Sequence, residues 1–486
     1  MGRLGMGSNS KENARGAMAL LERLLAGRPQ LPLHLPAHGR GRALAPGLRR
    51  LLLQPPGRWD LPELPDIGGP LELDGAVAEA QAVAAALLGA ARCWFGVNGA
   101  SGLLQVALLA LAQPGERVLL PRNLHRSLLH GCLLGQLRPV LFDLPFDSAT
   151  GLWMPPTPEL LCRHVDAALA QGPLAAVVLV SPSYQGFAAD LRGLIAAVKG
   201  RGLPVLLDEA HGAHLGLDSR LPEAGLACGA DLVVQSLQKA AGGLAQSAVL
   251  LQGAMEDQAI AQARSAAIER ALLWLQTSSP SALLLASAEA ALSDLHSSSG
   301  RRRLGIAVDR GLQLRRRLLQ MGLPVLNNHD PLRLCLHTAA MGINGLEADA
   351  WLMERGVIAE LPEPGCLSFC LGLAPPRRLL RLLPRRLQQL QAALAGPPLP
   401  AFSPVPIPSL AEPELPLERA WRAPQERVPL AAAAGRLAAE PLCPYPPGIP
   451  LLIPGERIDA ERAHWLQQQH ALWPGQIADS VSVVAG

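Results

Sequence analysis

Six short apolar runs set the rhythm of the middle of this chain. They fall at 93–97, 117–120, 140–143, 175–180, 204–207 and 232–235, with helix-like stretches such as 102–111 and 189–201 between several of them. That alternation predicts an α/β architecture built on a mostly parallel sheet. Past residue 300 the pattern changes. Helices around 301–322 and 346–356 alternate with short strands near 333–337 and 366–373, as expected of a smaller α+β domain. The stretch 396–429 is rich in proline and reads as an extended connector, and a compact last segment follows it. The expected division is an N-terminal helix and arm (1–70), a large domain (71–300), a small domain (301–396), a connector (397–430) and a C-terminal segment (431–486).

The polar residues cluster where these runs end. NGAS (98–101) follows the first run, RNLHRS (122–127) the second, SPSYQG (181–186) the fourth, DEAHGAH (208–214) the fifth and SLQK (236–239) the sixth. Open α/β sheets bind their ligands at the carboxyl ends of the strands. Five such clusters on one edge describe one pocket.

Composition narrows the chemistry further. At 486 residues, 49% hydrophobic and 17% charged, the chain has room for two or three domains and a large core. A net charge of +3 gives no reason to expect nucleic acid or an acidic membrane as a partner. The Arg-rich helices near 301–317 and 376–387 carry no interleaved aromatics and read as solvated faces. The early stretch AMALLERLLAG is broken by Glu22 and Arg23, so it predicts an amphipathic helix and not a signal segment. No run reaches the roughly 18 to 20 apolar residues that a membrane-spanning helix needs, and the cytoplasm is the expected location. Eight cysteines form no CxxC pair, and Cys366 and Cys370 read as small buried residues in a strand; no metal site is expected.

One residue type stands out. Of 43 basic residues only Lys11, Lys199 and Lys239 are lysines. Arginine stays charged in a protein, whereas a buried lysine can become a neutral, nucleophilic amine. Lys11 lies in a polar start and Lys199 at an expected helix end. Lys239 follows a strand and runs into small residues and glycines, in QSLQKAAGGLAQ.

The neighbouring clusters supply what such an amine needs to work with pyridoxal phosphate. A carboxylate must keep the pyridine nitrogen protonated, the phosphate needs a cradle, and a flat group should cover the ring. Asp208, one strand–helix–strand interval before Lys239, is the candidate acid, although aspartates at strand ends also commonly cap helices. Ala210 beside it is small enough to let backbone lie under a ring. Gly99, Ala100 and Ser101 open an expected helix whose free N–H groups suit a phosphate, and Ser236 offers a further hydroxyl. His125 is the candidate ring cover.

Taken in order, these clusters resemble the pyridoxal-phosphate ornithine/lysine/arginine decarboxylases of the aspartate-aminotransferase fold. HLPAHGRG (34–41), DLPELPDIGGP (60–70), TSSPS (277–281) and CPYPPGIPLLIPGE (443–456) extend the resemblance to about residues 30–458. It is to the shorter members, which lack an N-terminal receiver-like domain. The resemblance implies fold type I and Lys239 as the Schiff-base lysine. Asp208 becomes the pyridinium partner, His125 the stacked ring, and His211 a neighbour of cofactor and substrate carboxylate. Ser101 and Ser236 are implied at the phosphate, and TSSPS as a stretch reaching the phosphate across a dimer interface. A homodimer or higher oligomer is therefore expected. Three positions depart from the family's pattern: Gln238 stands where a His is usual, Ala37 replaces the Gly of a Pro-Gly-His element, and Ala282 replaces an aromatic.

The expected reaction is decarboxylation of Lys, Arg or Orn to a primary amine of polyamine metabolism. Another reaction on the same cofactor, such as transamination, would call for an arginine dedicated to the substrate's α-carboxylate. A catalytically weakened member with a binding role is a third reading, suggested by Gln238 and Ala282. Glu360 is a candidate for the substrate's distal amine.

Overall fold

The computed structural model describes residues 19–26, 31–61, 63–443, 449–473, 475 and 477–486. Lys11 and the centre of the CPYPPGIPLLIPGE stretch (444–448) lie outside the described residues.

Seven of the eight strands of the main sheet come from the large domain: β1 (Arg92–Gly96), β2 (Arg117–Pro121), β3 (Arg138–Phe142), β4 (Ala176–Val180), β5 (Val205–Asp208), β6 (Leu232–Ser236) and β7 (Ala248–Gln252). Their order is β3-β2-β4-β5-β6-β7-β1. Strands β3 to β6 pair in parallel, and β7 runs antiparallel to both of its neighbours. The apolar runs have no polar alternation because both faces of the sheet are covered. Leu119, Val177, Leu207 and Val233 point into one core layer, while Val118, Val178, Leu206 and Leu232 point into the other. Helix α1 (Gly99–Leu111) is apolar almost all round and is buried against the sheet. Helix α2 (Arg126–Gly135) starts at His125, and α3 (Leu191–Lys199) buries only Leu191, Leu194, Ile195 and Val198, the one-sided spacing of a surface helix.

The smaller unit holds β8 (Arg333–Leu336), β9 (Leu361–Glu363) and β10 (Cys366–Cys370), an antiparallel sheet in the order β8-β10-β9. The helices Ser298–Gln320, Gly345–Glu354 and Leu379–Leu394 cover it. Cys366 and Cys370 are both buried in β10.

The Pro-rich stretch is no free tether. It is extended from 396 to 409, but Leu410–Ala411 (β11) then joins the main sheet by pairing antiparallel with β3. Phe402 N also donates to Ser148 O at 2.7 Å. Beyond it, Gln425–Pro429 pairs with Ser480–Val484 around a separate apolar cluster.

A buried ion pair pins this last segment to the main domain. Arg122, the first residue of RNLHRS, donates to both oxygens of Glu456, the last of CPYPPGIPLLIPGE, at 3.1 and 2.5 Å. Their side chains are 1% and 3% exposed. Removing one partner of such a pair strands the other charge in the interior. Glu456→Ala is therefore expected to cost about 3–5 kcal/mol in urea denaturation. A loss under about 1 kcal/mol would show that the pair carries little.

Candidate active site

The clusters predicted at the strand ends surround one cavity of about 480 Å³. Its lining includes Gly99, Ala100, Ser101, His125, Asp208, Ala210, His211, Ser236, Gln238 and Lys239.

Lys239 sits in the short helical turn Leu237–Ala240 that follows β6. The backbone beyond it is tightly held. Gly242 is left-handed at φ +79°, and a Cβ there would lie 2.8 Å from Ala43 O. Burial pushes the Lys239 amine below the usual lysine range, Asp208 opposes that, and Arg333 adds to it. His211 Nε2 lies 3.1 Å from Lys239 Nζ.

Asp208 ends β5, which runs beside β6, and is 5% exposed. Its Oδ1 accepts from Ala210 N at 3.1 Å. Burial raises its carboxyl, with the charge of Lys239 acting against the rise. A cation placed against this group would keep it ionised. Ser236 Oγ is buried and has no hydrogen-bond partner among the described residues. Gly99 opens α1 at φ +69°, a conformation that a side chain disfavours.

His125 caps α2. Its Nδ1 accepts from Ser127 N at 3.3 Å and lies 2.8 Å from Ser127 Oγ, which leaves Nε2 for the cavity. Burial lowers its pKa to about 4, with the charge of Lys239 adding to the effect. Near neutral pH it is a flat, uncharged ring.

His211 is fixed from behind. The Arg333 guanidinium donates to its Nδ1 at 3.0 Å. Arginine has only donors, so Nδ1 must be an acceptor and the ring proton sits on Nε2. His211 therefore donates toward Lys239, and the amine that accepts is neutral. Tyr184 packs on the same imidazole, with ring centroids 4.4 Å apart. Arg333 is itself 3% exposed, lies near Asp330 (4.0 Å) and is absent from the cavity lining.

This arrangement can be tested on the amine itself. Arg333→Met is expected to raise the pH at which Lys239 reacts with a small acylating reagent by about one unit. Arg333→Lys should restore part of the difference. Peptide mass spectrometry can follow Lys239 alone because lysines are so few. An unchanged or lowered profile would contradict the arrangement.

The structure places the other predicted residues more variably. Ala37 N donates to Gln238 O at 2.8 Å, so the Pro36-Ala37-His38 element packs on the Lys239 turn. His38 and Ala282 do not line the cavity; Ala282 faces a separate shallow groove with Leu51, Trp59 and Phe95. Glu360 does not line it either, because its Oε2 accepts from Leu35 N at 2.6 Å. Glu363, three positions on at the end of β9, does line it. The sequence reading passed over Glu363, Arg333 and the role of Tyr184. Arg333 had no distinguishing signal among so many arginines, while Glu363 and Glu360 lie three positions apart and differ in what they pack against.

With this geometry in view, comparison with known proteins is direct. Residues 33–336 match the major domain of the Orn/Lys/Arg decarboxylases and residues 401–473 match their C-terminal domain. The chain belongs to this family. The arginine decarboxylase of Halalkalibacterium halodurans is 29% identical over 451 residues, 90% of each chain. That of Bacillus subtilis is 29% identical over 469 residues, 91% of each chain. Among solved structures, lysine decarboxylase A from Pseudomonas aeruginosa superposes with a TM-score of 0.74 at 19% identity, covering 98% of this chain and 82% of that one. The L-threonine transaldolase of Pseudomonas fluorescens, at TM-score 0.58 and 18% identity over 79% of this chain and 90% of its own, shares the fold. The fold of this Orn/Lys/Arg decarboxylase family member is thus fold type I, the aspartate-aminotransferase-like fold of pyridoxal-phosphate enzymes, with a mostly parallel large domain and a smaller C-terminal one.

Proposed function

We propose that this family member decarboxylates arginine to agmatine with pyridoxal phosphate held on Lys239. The observation that carries the reading is the Lys239 amine, buried in a cavity 3.1 Å from His211 Nε2 and sharing that cavity with Asp208 and the unpartnered Ser236 hydroxyl. These residues fit the cofactor: an amine to bond it, an acid for its ring nitrogen, and a hydroxyl with the N-terminus of α1 for its phosphate. Bound there, pyridoxal phosphate supplies an electron sink for the pair left when a Cα–carboxylate bond breaks.

The chain's own residues do the rest. Asp208 would hold the ring nitrogen protonated, with His125 offering a neutral flat ring to it and the small Ala210 leaving it room. Lys239 would hold the cofactor and would be the group placed to return a proton to Cα. His211 presents Nε2–H toward Lys239 and the substrate.

Arginine is favoured by the relatives. Four named arginine decarboxylase align over 88–91% of this chain, at 26–29% identity. Those named lysine decarboxylase reach 22–24% and span 68–71% of their own length. A homodimer fits the surface as well. Leu273 and Trp274 are 70% and 85% exposed, directly before the TSSPS stretch, and apolar patches of this kind mark interfaces. Among the described residues no helix is long and apolar enough to cross a membrane, and all eight cysteines are free, in keeping with a cytoplasmic enzyme. Purified protein offered Arg, Lys and Orn should absorb in the visible and release carbon dioxide fastest from arginine. A coloured protein inert toward all three would overturn the proposal.

A further inference from the structure

We infer that Glu363, steadied by Gln185 and walled by aromatic rings, is the subsite that reads the substrate's distal cation. The inference rests on the decarboxylase reading of the cavity and names the residue that selects the substrate.

Among the described residues only two carboxylates line the cavity, Asp208 and Glu363. Asp208 lies at the end of β5 and its charge is coupled to Lys239, so it belongs to the reacting end. Glu363 comes from the smaller unit, at the end of β9, and is 4% exposed. Its Oε2 accepts from Gln185 Nε2 at 2.8 Å, and Gln185 is itself buried in the cavity wall. Burial raises the Glu363 carboxyl to about 7, with only the Gln185 hydrogen bond opposing and no cation of the described residues acting on it. A buried carboxylate lacking a positive partner is costly to keep. On a cavity wall, a cationic ligand removes that cost on binding.

The surrounding wall suits a cation with a flat face. The chain has only 16 aromatic residues (8 Trp, 6 Phe, 2 Tyr). Phe146, Trp153, Tyr184, Phe402, Trp465 and Trp473 all line this one cavity. Phe146 and Trp153 pack edge to face, with centroids 5.6 Å apart, on the hairpin beside it. Aromatic faces attract guanidinium and ammonium groups, and the planar guanidinium stacks on them best. Carboxylate and rings together favour arginine over a neutral amino acid of equal length.

The test compares holoenzyme carrying Glu363→Gln and Glu363→Asp with the parent. Arginine is the substrate, citrulline its neutral isostere, and agmatine, the product with no carboxyl left to lose, a binding probe followed by calorimetry. Glu363→Gln should lower kcat/KM for arginine about 10²-fold and agmatine affinity similarly, with cofactor absorbance unchanged. Glu363→Asp should recover part of both, and the ratio of citrulline to arginine turnover should rise in Glu363→Gln. Arginine kinetics and agmatine affinity within about twofold of the parent would overturn the inference. So would loss of bound cofactor in both variants, which would make Glu363 part of the cofactor site. Parent enzyme that binds agmatine through Glu363 yet releases no carbon dioxide would sustain the subsite and sink the decarboxylase reading. Parent enzyme that decarboxylates citrulline as well as arginine would do the reverse.

Discussion

Lys239→Ala is expected to abolish visible absorbance and to lower decarboxylation on the order of 10⁴-fold or more, the upper end of what one positioned acid–base group supplies. Two losses combine. The amine that bonds the cofactor is gone, and so is the proton that returns to Cα. The fold should survive, because Lys239 lies in a four-residue turn lining a cavity and Leu237 and Ala240 hold that turn in the core. The amine also sits where burial disfavours its charge, so its removal relieves a desolvation cost. Circular dichroism and melting temperature should match the parent within a few degrees, and added methylamine should restore a fraction of the rate. A variant that keeps its colour and more than a tenth of its activity would remove Lys239 from the centre of the site.

Asp208→Asn should behave differently. The amide oxygen still accepts from Ala210 N, so local geometry is kept while the charge is lost. An opposite charge commonly moves a neighbour's pKa by about 1 to 3, so the ring nitrogen would lose its proton and the rate should fall roughly 10²- to 10³-fold. The cofactor should remain attached, with its visible band displaced. Stability carries an independent sign. The carboxyl of Asp208 is raised in the fold, so its contribution is present below the ordinary carboxylate range and is lost as pH rises through the raised value. Cofactor-free Asp208→Asn should therefore lose less stability than the parent between acid and neutral pH. Equal pH dependence and an unchanged rate would mean that Asp208 does not face the ring nitrogen.

The main sheet was legible because its strands are covered on both faces and read as unbroken apolar runs. Strand β7 escaped for a local reason: it follows the glycine-rich turn after Lys239 with no helix between, so it breaks the alternation that revealed the others. The helices Gln258–Leu275 and Ala282–His296 are rich in alanine, and their apolar positions spread around the axis without a clear stripe. Strand β11 is two residues long within a proline-rich stretch. Only its pairing with β3 distinguishes it from linker.

The site divides in the same way. Lys239, Asp208, His125, His211 and Ser236 sit at or just past strand ends, where their chemistry has little structural competition. Arg333 and Glu363 arrive from the smaller unit, well over 100 residues away from His211 and Gln185 along the chain. What each does depends on the group it packs against, which no local pattern encodes. The ring tautomer of His211 is the clearest case, since a single guanidinium behind it decides which nitrogen carries the proton.

The central claim is that a Lys239-centred site removes the α-carboxyl of arginine. Its most direct measurement supplies the purified, pyridoxal-phosphate-loaded enzyme with carboxyl-labelled arginine and counts labelled carbon dioxide and agmatine together. The two are expected in equal amounts, with both absent in Lys239→Ala. Agmatine without carbon dioxide is chemically excluded, so the contradicting results are a keto acid in place of agmatine, or no product from a coloured enzyme.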